Sequence, residues 1–305
     1  MPSKPLLVVV VGPTASGKTA LAISLAQALG TEILSFDSRQ FYRELQIGAA
    51  IPTVEERAQV KHHFIADRSF TEHLSAGAFE RQGNERLQQL FQKQQVVVAV
   101  GGSGLFAQAL IAGFDDIVVK NEASRAHWRQ VWEQDGIGVL QASLLARDPL
   151  YATQVDMQNH QRLIRALEVI DSTGQPYSHF RLRKQKTRPY ETMWIGIDIN
   201  RTTLHHRIDE RVLAMMEAGL EAEAHGLYPY RAAESLITVG YRELFAHFDG
   251  EYPLEEAIRL IQRNTRHFAR RQLTWFRKND KIQWFEPQQE AAILELIRSF
   301  ETSDH

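Results

Sequence analysis

Apolar and polar residues alternate with different periods along the chain, and the changes of period mark its elements. Leu6–Val11 is an unbroken, valine-rich apolar run of the length that suits a strand buried on both faces. After the turn Gly12–Gly17 the rhythm becomes helical: over Lys18–Leu29, Leu21, Leu25 and Leu29 share one side, and Gly30 ends the element. Glu32–Phe36 predicts a second strand and Val96–Val100 a third, followed by Gly101-Gly102-Ser103-Gly104 and an apolar helix from about Leu105. Strands alternating with helices predict an α/β fold, a parallel sheet flanked by helices.

Between about Asp115 and Tyr190 the strand-like runs disappear and helical patterns rich in Gln, Arg and Glu replace them. This stretch predicts a small helical insert, dividing the chain into 1–114, 115–190 and 191–305. Trp194–Ile199 returns to a strand, Pro253 and Leu254 open a helix running to about Arg271, Ile282–Phe285 predicts a last short strand, and Glu290–Phe300 a final helix.

Composition narrows the class. The 305 residues are 44% hydrophobic and 24% charged, ordinary for a soluble globular protein, and no cysteine is present to form a disulfide or a thiolate metal site. The apolar run at the N-terminus is too short for a membrane span or a signal-peptide core, so a cytoplasmic protein without a membrane partner is expected. A net charge of −2 gives no overall pull on nucleic acid, which leaves that role to local basic stretches.

Gly12-Pro13-Thr14-Ala15-Ser16-Gly17-Lys18-Thr19 fits G-x-x-x-x-G-K-[ST], directly after a strand and opening a helix. Backbone N–H groups of such a turn face one anion, the helix start adds its positive end, Lys18 adds a charge, and the Thr19 hydroxyl can hold Mg²⁺. The pattern names a diphosphate or triphosphate without naming its carrier. Ligands of parallel sheets sit beyond the carboxyl ends of the strands, so Gly12–Thr19, Asp37 and Ser103 are expected along one rim. An ATPase would place a carboxylate after an apolar strand to hold the metal through water; Val96–Val100 runs instead into Gly101-Gly102-Ser103. Asp37, just past the second strand, is the acid–base candidate, against the blander reading of a loop aspartate capping a turn. His62 and His63 point in different directions with no third ligand nearby and read as structural. Trp275 and Phe276 read as core.

Seven blocks in order, from Gly12 to Phe276, resemble the bacterial tRNA dimethylallyltransferases (tRNA isopentenyltransferases). They are Gly12–Thr19; Asp37-Ser38-Arg39-Gln40-Phe41-Tyr42 through Pro52-Thr53; His62-His63 with Asp67; Gly101–Leu105; Gln161–Val169 with Thr173-Gly174; Val239-Gly240-Tyr241-Arg242-Glu243; and Arg270–Phe276. The chain departs from the family pattern at Ser103, where threonine is usual, at Phe106, where tyrosine is usual, and at Ile237 and Lys61. Serine keeps the hydroxyl, so the role is carried over.

The resemblance implies a P-loop NTPase-like fold and transfer of dimethylallyl from dimethylallyl diphosphate to the exocyclic amine of the adenosine 3′ of the anticodon in tRNA. It implies Asp37 as the base, Ser103 as a hydrogen-bonding partner of the amine, and Gly12, Pro13, Thr14, Ala15, Ser16, Gly17, Lys18 and Thr19 around the diphosphate, with Mg²⁺ on Thr19. Arg242 is a further candidate for a diphosphate contact. Ser38, Arg39, Gln40, Gln161, Arg162, Arg165, Arg263, Arg266 and Arg270 are candidates for tRNA, and a monomer is implied. Two basic stretches suit a phosphate backbone: Arg181–Arg188, with five positive charges, and Arg259–Lys278, where Arg259, Arg263, Arg266 and Arg270 share a helix face. Three other readings stand beside this one: an ATP-dependent small-molecule kinase, an isopentenyltransferase acting on a free adenine nucleotide, and a pure RNA-binding module.

Overall fold

A computed structural model describes residues 4–115, 121–181 and 186–302. Its strands are β1 (Leu6–Val11), β2 (Ile33–Ser35), β3 (His62–His63), β4 (Val96–Gly101), β5 (Glu191–Ile197) and β6 (Ile282–Phe285). They form one sheet in the order β3-β2-β4-β1-β5-β6, every neighbouring pair parallel. β1 lies at its centre, Leu6 opposite Val96 of β4 and Glu191 of β5. β3 was not expected; two histidines carry no strand signal, and pairing with β2 alone creates the element.

The period of two in β1 divides its side chains between two cores. Leu7, Val9 and Val11 join Phe36, Phe41, Phe79, Phe106 and Tyr241 on one face, while Leu6, Val8 and Val10 join Leu21, Leu25, Ile293 and Ile297 on the other. The helices on this framework are α1 (Lys18–Ala28), α2 (Val54–Gln59), α3 (Ala76–Phe91) and α4 (Gly104–Ile111). Five more follow: α5 (Glu122–Asp135), α6 (Ile137–Arg147), α7 (Pro149–Ala152), α8 (His160–Thr173) and α9 (Tyr177–Phe180). Then come α10 (Arg201–Glu217), α11 (Leu220–Leu227), α12 (Tyr241–Phe248), α13 (Leu254–Phe276) and α14 (Glu290–Thr302). Short helical turns at Tyr228–Tyr230 and Glu234–Leu236 join α11 to α12. This parallel sheet with its flanking helices is of the P-loop NTPase-like class.

The chain forms two compact units, Met1–Ala112 with Thr187–His305, and Gly113–Lys186. The smaller has its own core of Leu140, Leu144, Tyr151, Leu163, Leu167 and Ile170. Polar groups inside it are matched. The buried Asp148 carboxylate accepts from Tyr151 N at 2.9 Å, Ser178 N at 2.7 Å and Ser178 Oγ at 2.8 Å. Asp171 accepts from Trp128 Nε1 at 2.7 Å and pairs with Arg147 at 2.7 Å.

Candidate active site

β1 delivers the phosphate loop to the carboxyl rim of the sheet, and α1 leaves it at Lys18. Gly17 sits at the helix start with φ 94°, a left-handed conformation that a Cβ would strain. Ala15 also has positive φ, at 62°. The Ser16 hydroxyl is buried without a protein partner. Lys18 is half-buried and its Nζ donates to Pro13 O at 3.2 Å, folding the ammonium back over the loop. Burial lowers its pKa to about 8; the Asp37 carboxylate opposes that shift and the Arg211 guanidinium adds to it. Burial also lowers the pKa of Arg211, which Asp37 and Glu56 oppose. Lys18, Arg211 and Asp37 therefore share one electrostatic site. Among the described residues Arg211 forms no ion pair, which leaves its charge available to an anion.

Asp37 follows β2 as expected from the sequence. Its Oδ1 accepts from Arg39 N at 3.3 Å, and its own N–H donates to Ser35 Oγ at 3.3 Å. Ser103, at the end of β4, accepts from Ser38 N at 3.1 Å and donates to Ser38 Oγ at 3.0 Å. The hydroxyls of Ser38 and Ser103 thus form a pair beside the carboxylate. Gln272 of α13 reaches into the same rim: its Oε1 accepts from Thr14 N at 2.9 Å and its Nε2 donates to Gly102 O at 2.9 Å.

The other sequence candidates fall into different settings. Arg39 donates to the carbonyls of Ser235 at 2.7 Å, Glu234 at 3.4 Å and Ile237 at 3.4 Å, which braces the turn before α12. Gln40 Nε2 donates to Ala50 O at 2.9 Å and Ala49 O at 3.4 Å. Arg242 pairs with Glu243 at 2.9 Å and lines a separate cleft of about 240 Å³ with Ile237 and Phe245. The arginine within electrostatic reach of Lys18 and Asp37 is Arg211. On α13, Arg263 and Arg270 are exposed, whereas Arg266 pairs with Asp209 of α10. On α8, Gln161 and Arg162 are exposed and Arg165 pairs with the buried Glu168 at 2.9 Å.

Two expectations are corrected. Trp275 is 41% exposed, although Phe276 is buried. The buried stripe of α13 runs through Ala257, Ile261, Ala269, Gln272 and Phe276, and Trp275 lies about 100° off Phe276 on the helix. Its indole rests on Gly104, where an added Cβ would meet it at 2.2 Å. Within Arg181–Arg188, Arg188 faces inward: it pairs with buried Glu80 at 3.2 Å and donates to Ile111 O at 3.0 Å. Leu182, Arg183, Lys184 and Gln185 of that stretch lie outside the described residues. His63 is engaged by Glu32 at 2.6 Å and His62 by Val60 O at 2.7 Å.

Sequence reasoning missed Arg211 and the role of Gln272. Arg211 is one arginine in a charged helix with no local pattern to single it out, and Gln272 stood unremarked inside the block Arg270–Phe276.

Residues 40–279 match the model of the family described as IPP transferase. A tRNA dimethylallyltransferase of Christiangramia forsetii is 46% identical over 280 residues, spanning 92% of this chain and 93% of that protein. Bacteroides thetaiotaomicron tRNA dimethylallyltransferase 1 is 42% identical over 96% of each. Among solved structures, the full-length tRNA isopentenylpyrophosphate transferase of Bacillus halodurans superposes with TM-score 0.73 at 34% identity, covering 99% of this chain and 100% of that one. A eukaryotic dimethylallyltransferase acting on tRNA, 23% identical with TM-score 0.76, shares the fold. With a family model matched over most of its length and relatives above 40% identity along nearly all of it, this chain belongs to the IPP transferase family.

Proposed function

We propose that the protein transfers the dimethylallyl group of dimethylallyl diphosphate to the exocyclic amine of the adenosine 3′ of the anticodon in tRNA, releasing diphosphate. The observation that carries the reading is the pairing on one rim of a cationic phosphate loop with a carboxylate. Lys18 and Arg211 sit within electrostatic reach of Asp37, beside the Ser38–Ser103 hydroxyl pair. A P-loop ATPase also uses a carboxylate, to hold its metal through water; moving a carbon group onto an amine needs one placed to take the amine proton.

An amine conjugated with a purine ring is a weak nucleophile, and removing its proton as the bond forms strengthens it. The nitrogen attacks C1 of the allylic group, the C1–O bond breaks, and its electron pair leaves with the diphosphate. The amine proton passes to the Asp37 carboxylate. Ser103 and Ser38 orient the amine by hydrogen bonding. Lys18, Arg211 and the loop N–H groups stabilise charge that grows on the departing oxygens. The target base must leave its stack to reach this rim.

Mg²⁺ fits the donor set. The Thr19 hydroxyl is half-buried at the start of α1, next to Lys18, while no cluster of three His, Cys, Asp or Glu occurs among the described residues. Such a cation takes one or two protein oxygens and completes its shell with phosphate oxygens and water. Bound there, it would neutralise charge on the diphosphate. We place the protein in the cytoplasm with its substrate, as a monomer; among the described residues no helix is long and apolar enough to cross a membrane.

The test offers radiolabelled dimethylallyl diphosphate with unmodified tRNA and with AMP in parallel, to wild type and Asp37→Ala. Label entering tRNA alone, and lost in the variant, is the expected outcome. Label in AMP would point to the free-nucleotide reaction, and ATP consumption without label transfer would point to a kinase.

A further inference from the structure

Gln272 is the one polar side chain on the buried stripe of α13; the other four positions are Ala257, Ile261, Ala269 and Phe276. Only 6% of its surface is exposed. Burying an amide is unfavourable unless its donors and acceptor are matched, so the choice of Gln here asks for a reason.

Its partners supply one. The carbonyl accepts from Thr14 N, inside the phosphate loop, and the amide donates to Gly102 O, in the turn that leads to Ser103. Thr14 and Gly102 follow the neighbouring strands β1 and β4, which pair up to Val11 and Gly101. One side chain therefore bridges the loop that holds the leaving group and the turn that carries the hydroxyl beside the acceptor amine. Gly102 is matched to it: a Cβ there would lie 2.2 Å from Gln272 Nε2 and 3.4 Å from Asp37 Oδ2. The absent side chain makes room for the amide and leaves the carboxylate oxygen next to the same turn. The bridge also turns the Thr14 N–H toward Gln272, so the anion is held by the rest of the loop, Lys18 and Arg211.

We infer that Gln272 is a positioning residue for prenyl transfer, fixing the distance between the diphosphate site and the Asp37–Ser103 site. The inference rests on the function proposed above. In-line displacement needs nucleophile and leaving group on opposite sides of one carbon, and a misplacement of about 1 Å can cost about a hundredfold in rate. Hydrogen bonds to two loops at once are a direct means of holding that separation.

Two substitutions test it. Gln272→Leu removes both bonds. Gln272→Glu as a carboxylate keeps an acceptor for Thr14 N–H and sets an oxygen against Gly102 O; as the neutral acid it regains a donor for that carbonyl. Transfer to tRNA is followed by kcat and KM, with binding of inorganic diphosphate measured by calorimetry and folding by thermal denaturation. Gln272→Leu is expected to lose 10- to 100-fold in kcat, an order of magnitude set by the cost of misplacement, with diphosphate affinity held within about threefold. Gln272→Glu is expected to recover kcat, relative to wild type at the same pH, as the pH falls. Both variants melting lower but keeping wild-type kcat per folded molecule would overturn the assignment, as would a Gln272→Glu profile parallel to wild type. Should Gln272→Leu not fold, the pH profile of Gln272→Glu alone decides. Wild type inactive toward tRNA would sink the functional reading itself, a result distinct from active variants.

Discussion

Gly48→Ala strikes the packing that holds the loop after Gln40. A Cβ at Gly48 would lie 2.5 Å from Tyr241 Cζ and Oη and 2.6 Å from Cε2. Carbon atoms rest at about 3.5–4.0 Å, so the ring must retreat by about 1 Å. It has nowhere to go, because Tyr241 is fully buried. Its hydroxyl donates to Glu223 Oε1 at 2.6 Å, and the same carboxylate accepts from Gly48 N at 2.9 Å and Ile47 N at 2.8 Å. Overpacking costs about 1–3 kcal/mol. Weakening a hydrogen bond to a charged group adds about 1.5–3 kcal/mol when the bond is lost. With partial relaxation of both, the expected loss is about 3 kcal/mol, or a fall in melting temperature of about 6–12 °C at about 2–4 °C per kcal/mol. Urea titration with an unchanged m-value and calorimetric melting would measure it. A second background isolates the cause. In Tyr241→Leu the ring is gone, and Gly48→Ala there should cost less than about 1 kcal/mol, a coupling of about 2 kcal/mol. A Gly48→Ala protein as stable as wild type, or equally destabilised in both backgrounds, would refute the argument.

Three further outcomes are expected. Because Lys18 titrates near 8, its charge is present below that pH and lost above it, so inorganic diphosphate should bind about tenfold more weakly at pH 9 than at pH 7. The Lys18→Arg variant should flatten that profile, and calorimetric affinities across the range check both statements. The same shift lets stability rise between about 8 and 10.5, where the unfolded chain still holds the proton that the folded chain has released. Arg211→Gln should weaken diphosphate binding by about 10- to 100-fold, the worth of a charge-assisted hydrogen bond. It should also move the Lys18 midpoint upward, since Arg211 depresses it; affinity within twofold of wild type would rule Arg211 out of the site. Asp148→Ala leaves Tyr151 N, Ser178 N and Ser178 Oγ without their acceptor, a loss of about 2–4 kcal/mol to the smaller unit. Hydrogen exchange of α8 should accelerate, and unchanged protection there would count against it.

The sequence by itself determined the elements whose cause is local. A six-residue, valine-rich apolar run stopped at once by a glycine turn is too short for a helix and reads as a buried strand, and the spacing of Gly12, Gly17 and Lys18 specifies an anion-binding turn by backbone chemistry alone. Strand–helix alternation then places Asp37 and Ser103 on the rim that carries the loop. Pairing and packing decided the rest. The two residues of β3 become a strand through β2, and Trp275 is exposed while its neighbour Phe276 is buried because the stripe of α13 sets the phase. Arg188 faces Glu80 and Arg39 binds carbonyls some 195 residues away, although in sequence Arg39 reads as a tRNA contact and Arg188 as part of a phosphate-binding stretch. Arg211 lies 174 residues beyond Asp37 in sequence, and Gln272 170 residues beyond Gly102. Charge and polarity are properties of residues and can be read one at a time; the partner that satisfies them is supplied by chain segments far apart in sequence, which only folding brings together.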